Sequence, residues 1–358
     1  MTKPLLLILF LFFFSCNTSN KEQAPKNIIL FIGDGMGLSQ ISALKTVTGQ
    51  PNLARFKTVG FLTTHSADEY VTDSAAGATA MATGQKTNNY FVALSPEKKP
   101  LKTVIEYAGE KGKATGLVVT SGINHATPAS FVAHVDDRWK YNEIARHIAD
   151  ASVDVLIGGR LGNFLPQSHD SSLREDDLDL LGQLQKKMKV VTSVKTFKEL
   201  TNERTLAYLY SKESPKKAGQ RPLTLKEMTK KAIEVLSQNE NGFFLMVEGS
   251  QIDWGGHDND HDYIISEIVE FDEAVGSGLD FALKNEETLI IVTADHETGG
   301  FALVNGSVEE KIISEAAFTS THHTGTMVPI FSYGPQAEIF GGIHDNTFVG
   351  KKIIEFNR

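Results

Sequence analysis

The chain alternates between short unbroken apolar runs and longer stretches in which apolar residues recur every three or four positions. Ile28-Ile29-Leu30-Phe31-Ile32, Gly116-Leu117-Val118-Val119-Thr120, Phe243-Phe244-Leu245-Met246-Val247 and Leu289-Ile290-Ile291-Val292-Thr293 are of the first kind. Runs this short, β-rich and without polar alternation predict strands buried on both faces. Residues 153–157, closed by Gly158-Gly159, and residues 327–333 add two more. Helices are predicted over 101–111, 141–150, 224–237 and 264–283. In the last of these, Ile264, Ile268, Phe271, Ala274, Val275 and Leu279 keep close to the helical period. Strands alternating with helices imply an α/β fold, a three-layer sandwich around a central, mostly parallel sheet. Between 161 and 220 the pattern weakens and charged residues crowd, as in Arg174-Glu175-Asp176-Asp177. That stretch is read as a variable inserted region with a solvated face. No internal repeat is visible.

The N-terminus reads as a targeting segment. Lys3 is followed by an apolar run from Leu5 to Phe14, too short to span a bilayer but suited to a signal sequence. Ser15-Cys16 ends the run, and polar Asn17-Thr18-Ser19-Asn20 follows. A small residue before the only cysteine resembles a bacterial lipoprotein cleavage site. The expectation is a signal peptide over 1–15, a lipidated Cys16 with a polar tether to residue 26, and one domain over 27–358. Such a protein is exported, periplasmic or at the cell surface, and meets the membrane only through its lipid. With Cys16 so used, no thiol remains for a disulfide, and stability rests on core burial and bound metal.

Composition changes this picture little. The 358 residues are 41% hydrophobic and 22% charged, enough for a substantial core. The formal net charge of -9 argues against a nucleic-acid partner, which calls for a basic face. It does not exclude small anionic substrates, because bound metal outweighs net charge locally.

Candidate chemistry lies where the apolar runs stop. Asp34 follows the first, Thr127 the second, Glu248 the third, and Asp295 and His296 the fourth. Open α/β sheets build their sites at the carboxyl ends of their strands. Asp34 sits in Gly33-Asp34-Gly35-Met36-Gly37, whose glycine spacing is not that of a dinucleotide loop. In Thr72-Asp73-Ser74-Ala75-Ala76, Asp73 or Ser74 takes the N-cap position of an Ala-rich helix. Ser74 there is a candidate nucleophile, and no Gly-x-Ser-x-Gly motif surrounds it, so activation falls to metal. Asp253 and His257 are four apart, which puts both on one helical face, while Asp258 and His261 are read as solvated. His322-His323-Thr324-Gly325 supplies further imidazole. Imidazole with carboxylate suits Zn2+ and an all-oxygen set suits Mg2+, so the inventory predicts a mixed site.

Taken together these motifs resemble the alkaline phosphatase family, and its short bacterial lipoprotein-type members in particular, from about Lys26 to near the C-terminus. The resemblance implies that Ser74 of Asp-Ser-Ala is phosphorylated during turnover. It implies one zinc held by Asp253, His257 and His323, and a second held by Asp34, Asp295, His296 and the Ser74 oxygen. A third ion, usually magnesium, takes Asp34, Thr127 and Glu248. Arg138, after His125-Ala126-Thr127-Pro128-Ala129, matches the substrate-binding arginine. Two positions depart from the best-known bacterial pattern: His125 stands where that pattern has Asp, and Trp254 where it has Lys. His125 is then either a direct ligand of the third ion or a group behind one. The implied protein is a homodimer that hydrolyses phosphate monoesters with broad specificity and an alkaline optimum. Alternatives are a phosphodiesterase, sulfatase or phosphonate hydrolase of the same superfamily, or a non-catalytic lipoprotein that binds phosphate or metal.

Overall fold

Every residue from Ile28 to Ile32 and from Phe243 to Val247 is fully buried, as a strand covered on both faces requires. A computed structural model describes residues 23–357, so the leader and Cys16 lie outside the described residues. Its strands are β1 Asn27–Gly33, β2 Thr58–Thr63, β3 Ala114–Gly122, β4 Val155–Gly159, β5 Lys189–Val191, β6 Leu206–Leu209 and β7 Phe243–Gly249. They continue with β8 Thr288–Thr293, β9 Glu297–Thr298, β10 Ala302–Ser307, β11 Ile312–Ala317, β12 His323–Thr324, β13 Val328–Tyr333 and β14 Gly342–Asp345.

The main sheet has ten strands in the order β14-β2-β13-β8-β1-β7-β3-β4-β6-β5. Only β13 runs against the rest, pairing antiparallel with both β2 and β8. The helices Leu38–Thr48, Leu225–Leu236 and His261–Ala282 pack on one face. Ser74–Thr83, Val104–Glu110, Ala126–Ala129 and Thr347–Phe356 pack on the other. Aromatic contacts fasten both layers. Phe31 meets Phe271 edge-on at 6.2 Å, and Phe244 stacks on Phe131 at 6.1 Å. The α/β sandwich expected from the alternation is the observed fold.

Register is what assembles the site. In β1, Ile32 pairs with Glu248 of β7 on one side and Thr293 of β8 on the other. Val119 of β3 pairs with the same Glu248. Four parallel strands therefore end at one level, and their terminal residues share one crevice.

Two details differ from the sequence expectation. The stretch 161–220, expected to be an inserted region, builds the edge of the main sheet: β6 pairs with β4 and β5 with β6, all parallel. Its strands are too short to register as apolar runs among charged neighbours. Arg174 of the supposedly solvated charged run is buried, donating to Asp176 from Nε and Nη2 and to the carbonyls of Asn142 and Asn163. The helix predicted from 264 begins earlier, at His261, because Asp260 accepts from the Tyr263 amide and caps it.

A buried ion cluster ties the loop before Leu225 to the long helix. Arg221 Nη2 lies 2.7 Å from Glu267 and 2.9 Å from Glu270, all nearly buried. The same loop supports the site, since Gln251 donates to the carbonyls of Pro215 and Thr120 just beyond β7. Arg221→Ala leaves two buried carboxylates without a counterion and is expected to cost about 3–5 kcal/mol in denaturant unfolding. A loss below about 1 kcal/mol would show the cluster to be solvated.

Candidate metal centre

The turn after β1 is tight because Gly35 has φ +75. A Cβ there would lie 2.7 Å from the Asp253 Cα, so only glycine lets the two segments meet. Its amide donates to Asp295 Oδ1 at 3.3 Å, which fixes that carboxylate beside Asp34. His296 then brings the group together. Its Nε2 lies 3.5 Å from Asp34 Oδ1, 3.2 Å from Asp295 Oδ2 and 3.3 Å from Ser74 Oγ.

Ser74 is the first residue of its helix, and Asp73 is the cap, accepting from the Ala76 amide at 2.9 Å. The serine hydroxyl therefore sits buried at a helix N-terminus, whose dipole favours an anion. Asp73 has a second task that the sequence did not reveal. Its Oδ2 accepts from Arg138 Nη1 at 3.0 Å, which anchors the arginine beside the serine. The two are 65 residues apart in the chain, and no local motif joins them.

A second group of ligands surrounds Asp253. Its Oδ1 is 3.3 Å from His257 Nε2 and 3.5 Å from His323 Nε2. Both rings are oriented from behind. His257 Nδ1 donates to the Thr321 carbonyl at 2.6 Å and His323 Nδ1 to the Thr72 carbonyl at 2.9 Å. This leaves each Nε2 lone pair for a cation, the usual support of a metal-bound imidazole. The first ligand set expected from the resemblance is thus one compact group. Asp34, Asp253 and His296 form another, so Asp253 faces both. Thr298 Oγ1 donates to Asp253 and also contacts His296 Nδ1, bracing the shared carboxylate.

Glu248 and Thr127 lie at the third place. Glu248 Oε2 accepts from Ser250 at 2.7 Å and Ser121 at 3.4 Å, and its Oε1 has no partner. His125 belongs to neither compact ligand group. Its ring lies between Tyr141, stacked at 6.4 Å, and Trp254, edge-on at 6.1 Å. Burial, with Arg138 and Arg160 nearby, pushes its pKa down to about 3, so the imidazole is neutral at physiological pH.

The electrostatics suit bound cations. Both oxygens of Asp34, Asp295 Oδ2, Glu248 Oε1 and the Thr127 hydroxyl are buried without a hydrogen-bond partner. Burial holds the Asp34 carboxyl well above its usual range, with Asp295 and Asp253 adding repulsion. Burial likewise raises Asp295 to about 8 and Glu248 to about 7. Unpaired buried carboxylates are costly unless neutralised or bound to metal. An oxygen-rich pocket beside two imidazole-bearing groups fits both hard and borderline divalent ions. The cluster opens into a cavity of about 470 Å3 lined by Ser74, Arg138, His125, Trp254 and His323 among others.

Fold and site together define a metal-dependent hydrolase of phosphoryl groups. The sequence profile of the alkaline phosphatase family matches residues 25–314, and the chain belongs to that family. It is 34% identical over 417 residues to alkaline phosphatase 3 of Bacillus subtilis, covering 92% of this chain and 88% of the relative. The alkaline phosphatase of the Antarctic bacterium TAB5 superposes with a TM-score of 0.87 at 39% identity, covering 94% of this chain and 99% of that one. A variant of that enzyme with a histidine changed to aspartate and Mg bound in the M3 site superposes at 0.86, again at 39% identity, covering 93% and 98%. The protein is an enzyme that hydrolyses phosphate monoesters.

Proposed function

We propose that hydrolysis proceeds through phosphorylated Ser74, with two zinc ions and one magnesium per chain and a broad range of monoesters. The observation that carries this is Ser74 Oγ, buried at a helix N-terminus 3.3 Å from His296 and facing the same cavity as Arg138. One zinc would be held by Asp253, His257 and His323, the other by Asp34, Asp295, His296 and the Ser74 oxygen. Magnesium would be held by Asp34, Thr127 and Glu248, with His125 beside it. When bound, such ions lower the pKa of a coordinated hydroxyl or water and offset charge on phosphate.

The chain supplies the rest. Arg138 keeps one nitrogen on Asp73 and turns its other donors to two phosphate oxygens. Ser74 Oγ forms the bond to phosphorus as the ester oxygen leaves on the opposite side. Water then takes the phosphoryl group from Ser74 and inorganic phosphate departs. Positioning and charge offset carry such a loose transition state. In this reading the protein is an exported homodimer, anchored by lipid on Cys16.

The test is hydrolysis of 4-nitrophenyl phosphate beside the matching diester and sulfate, before and after chelation and after zinc and magnesium are restored. Metal-restorable activity on the monoester supports the reading. Preference for the diester or sulfate would move the chain to a sister activity. No turnover with metal bound would leave a binding protein.

In this reading His125 stands at or just behind the third ion. The superposing variant with a histidine changed to aspartate carries Mg in its M3 site, and aspartate adds a hard oxygen ligand that imidazole lacks. His125→Asp is expected to retain magnesium about ten-fold more tightly through dialysis. Unchanged magnesium content by elemental analysis would exclude His125 from the third site.

A further inference from the structure

A second cavity, of about 540 Å3, opens beside the catalytic one and shares Trp139 with it. Its wall holds Arg160, whose backbone lies in the left-handed region at φ +64. A non-glycine residue stays in that conformation only where its surroundings hold it, and such residues gather at functional sites. Here the hold is visible. The Arg160 amide donates to the Glu213 carbonyl at 2.9 Å. Its stem lies over Gly122, where a Cβ would sit 2.3 Å from Arg160 Cδ. Its guanidinium lies over the Tyr141 ring at 3.7 Å.

The guanidinium so fixed is short of acceptors. Its Nε is buried with no hydrogen-bond partner, and Nη1 makes one long contact of 3.5 Å to Asn163. Among the described residues it has no carboxylate partner. Of the carboxylates on this wall, Glu143 lies 3.8 Å from Lys140, and the Glu213 side chain is exposed to solvent. The Nη donors left on this rigid fork beside the cavity suit an oxyanion such as a carboxylate or phosphate.

The route from one cavity to the other is continuous. Arg138 lies 5.1 Å from the Trp139 ring, Trp139 meets Tyr141 edge-on at 6.0 Å, and Tyr141 carries Arg160. We propose that Arg160 is a second anion subsite, which takes a phosphate or carboxylate at the far end of the leaving group while Arg138 holds the phosphate to be cleaved. The enzyme then favours phosphoesters whose leaving group bears a further negative charge. This rests on the monoesterase reading given above.

The test compares 6-hydroxyhexyl phosphate, 1,6-hexanediol bisphosphate and the phosphate ester of 6-hydroxyhexanoate on the metal-loaded enzyme. The two substrates with a second anionic group are expected to have kcat/KM about ten-fold higher, carried by KM. In Arg160→Gln, which keeps the packed stem, that preference should fall to about two for the bisphosphate, the statistical factor for its two equivalent phosphates, and to about one for the carboxylate. Turnover of 6-hydroxyhexyl phosphate should stay unchanged, and Arg160→Lys should restore part of the preference. The bisphosphate and carboxylate arms tell which anion fits. An unchanged preference in Arg160→Gln, or an equal loss on all three substrates, would overturn the subsite and leave the monoesterase reading intact. No turnover of any substrate by the metal-loaded wild type would overturn both. If Arg160→Gln does not fold, Arg160→Met, which keeps an apolar stem and removes the charge, is measured on the same three substrates instead. Wild-type preference in that variant would overturn the proposal.

Discussion

Ser74→Ala is expected to lower kcat on a phosphate monoester by about a thousand-fold or more while leaving the fold intact, the ion beside it keeping Asp34, Asp295 and His296. The serine side chain makes a single described contact, to His296. The helix cap belongs to Asp73, so alanine at the first helical position disturbs no capping bond. Ala75 and Ala76 follow, and alanine is the strongest helix former. In the proposed route the change removes the oxygen that bonds to phosphorus. Residual turnover would come from direct attack by water on a phosphate still held by Arg138 and the metal cluster, as other nucleophile deletions leave a remainder. The measurement is kcat with metal analysis on the same sample. A kcat within about ten-fold of wild type at full metal content would sink the covalent route.

Chelation is expected to make stability fall as pH rises from about 6.5 to about 9. Glu248 and Asp295 have folded pKa values pushed up to about 7 and about 8, and Asp34 is well above its usual range. Unfolded carboxyls titrate near 4. The folded apo protein therefore holds protons that the unfolded chain has lost, and that advantage disappears as pH passes through the folded values. His257, raised to about 9 by its bond to Asp253, acts in the same direction. His125, His296 and His323 have depressed values and act oppositely, but only below about 6.5, where unfolded histidine gains its proton. Each proton so held is worth about 1.4 kcal/mol per pH unit, so a drop in Tm on the order of 10 °C is expected across the window. With divalent cations restored, the carboxylates are already ionised against them and the same scan should be nearly flat. A chelated protein as stable at pH 9 as at pH 6.5 would mean that these carboxyls are solvated.

Much of the site was readable because each ligand-bearing turn follows an apolar run. Asp34, Glu248, Asp295 and His296 needed only the rule that open sheets work at their strand ends. Spacing linked Asp253 to His257. It could not reveal that Asp253 faces a second group, since His296 and Asp34 are distant in the chain and meet it through sheet register. The hold of Asp73 on Arg138 was hidden for the same reason. The antiparallel β13 left no mark, because a buried strand has the same composition in either direction. Strands β5 and β6 were lost in charged surroundings. Arg174 reads as a surface charge in the sequence because its partners, the carbonyls of Asn142 and Asn163, are set by the fold. Arg160 follows Gly158-Gly159 with no motif around it; its interest lies in backbone conformation and an unused donor, which sequence does not encode visibly.

The common level at which β1, β3, β7 and β8 end has a consequence for how the chain reaches this arrangement. A slip of one residue between neighbouring strands displaces a terminal ligand by about 3.3 Å and turns its side chain to the opposite face. The group of Asp34, Asp253 and His296, drawn from the turns after β1, β7 and β8, would then not close. Divalent ions that bind the correctly aligned chain more tightly stabilise it at the expense of its near neighbours. The cluster thereby acts as a checkpoint on strand alignment, and ion supply during maturation decides how much of the chain is withdrawn from misaligned states.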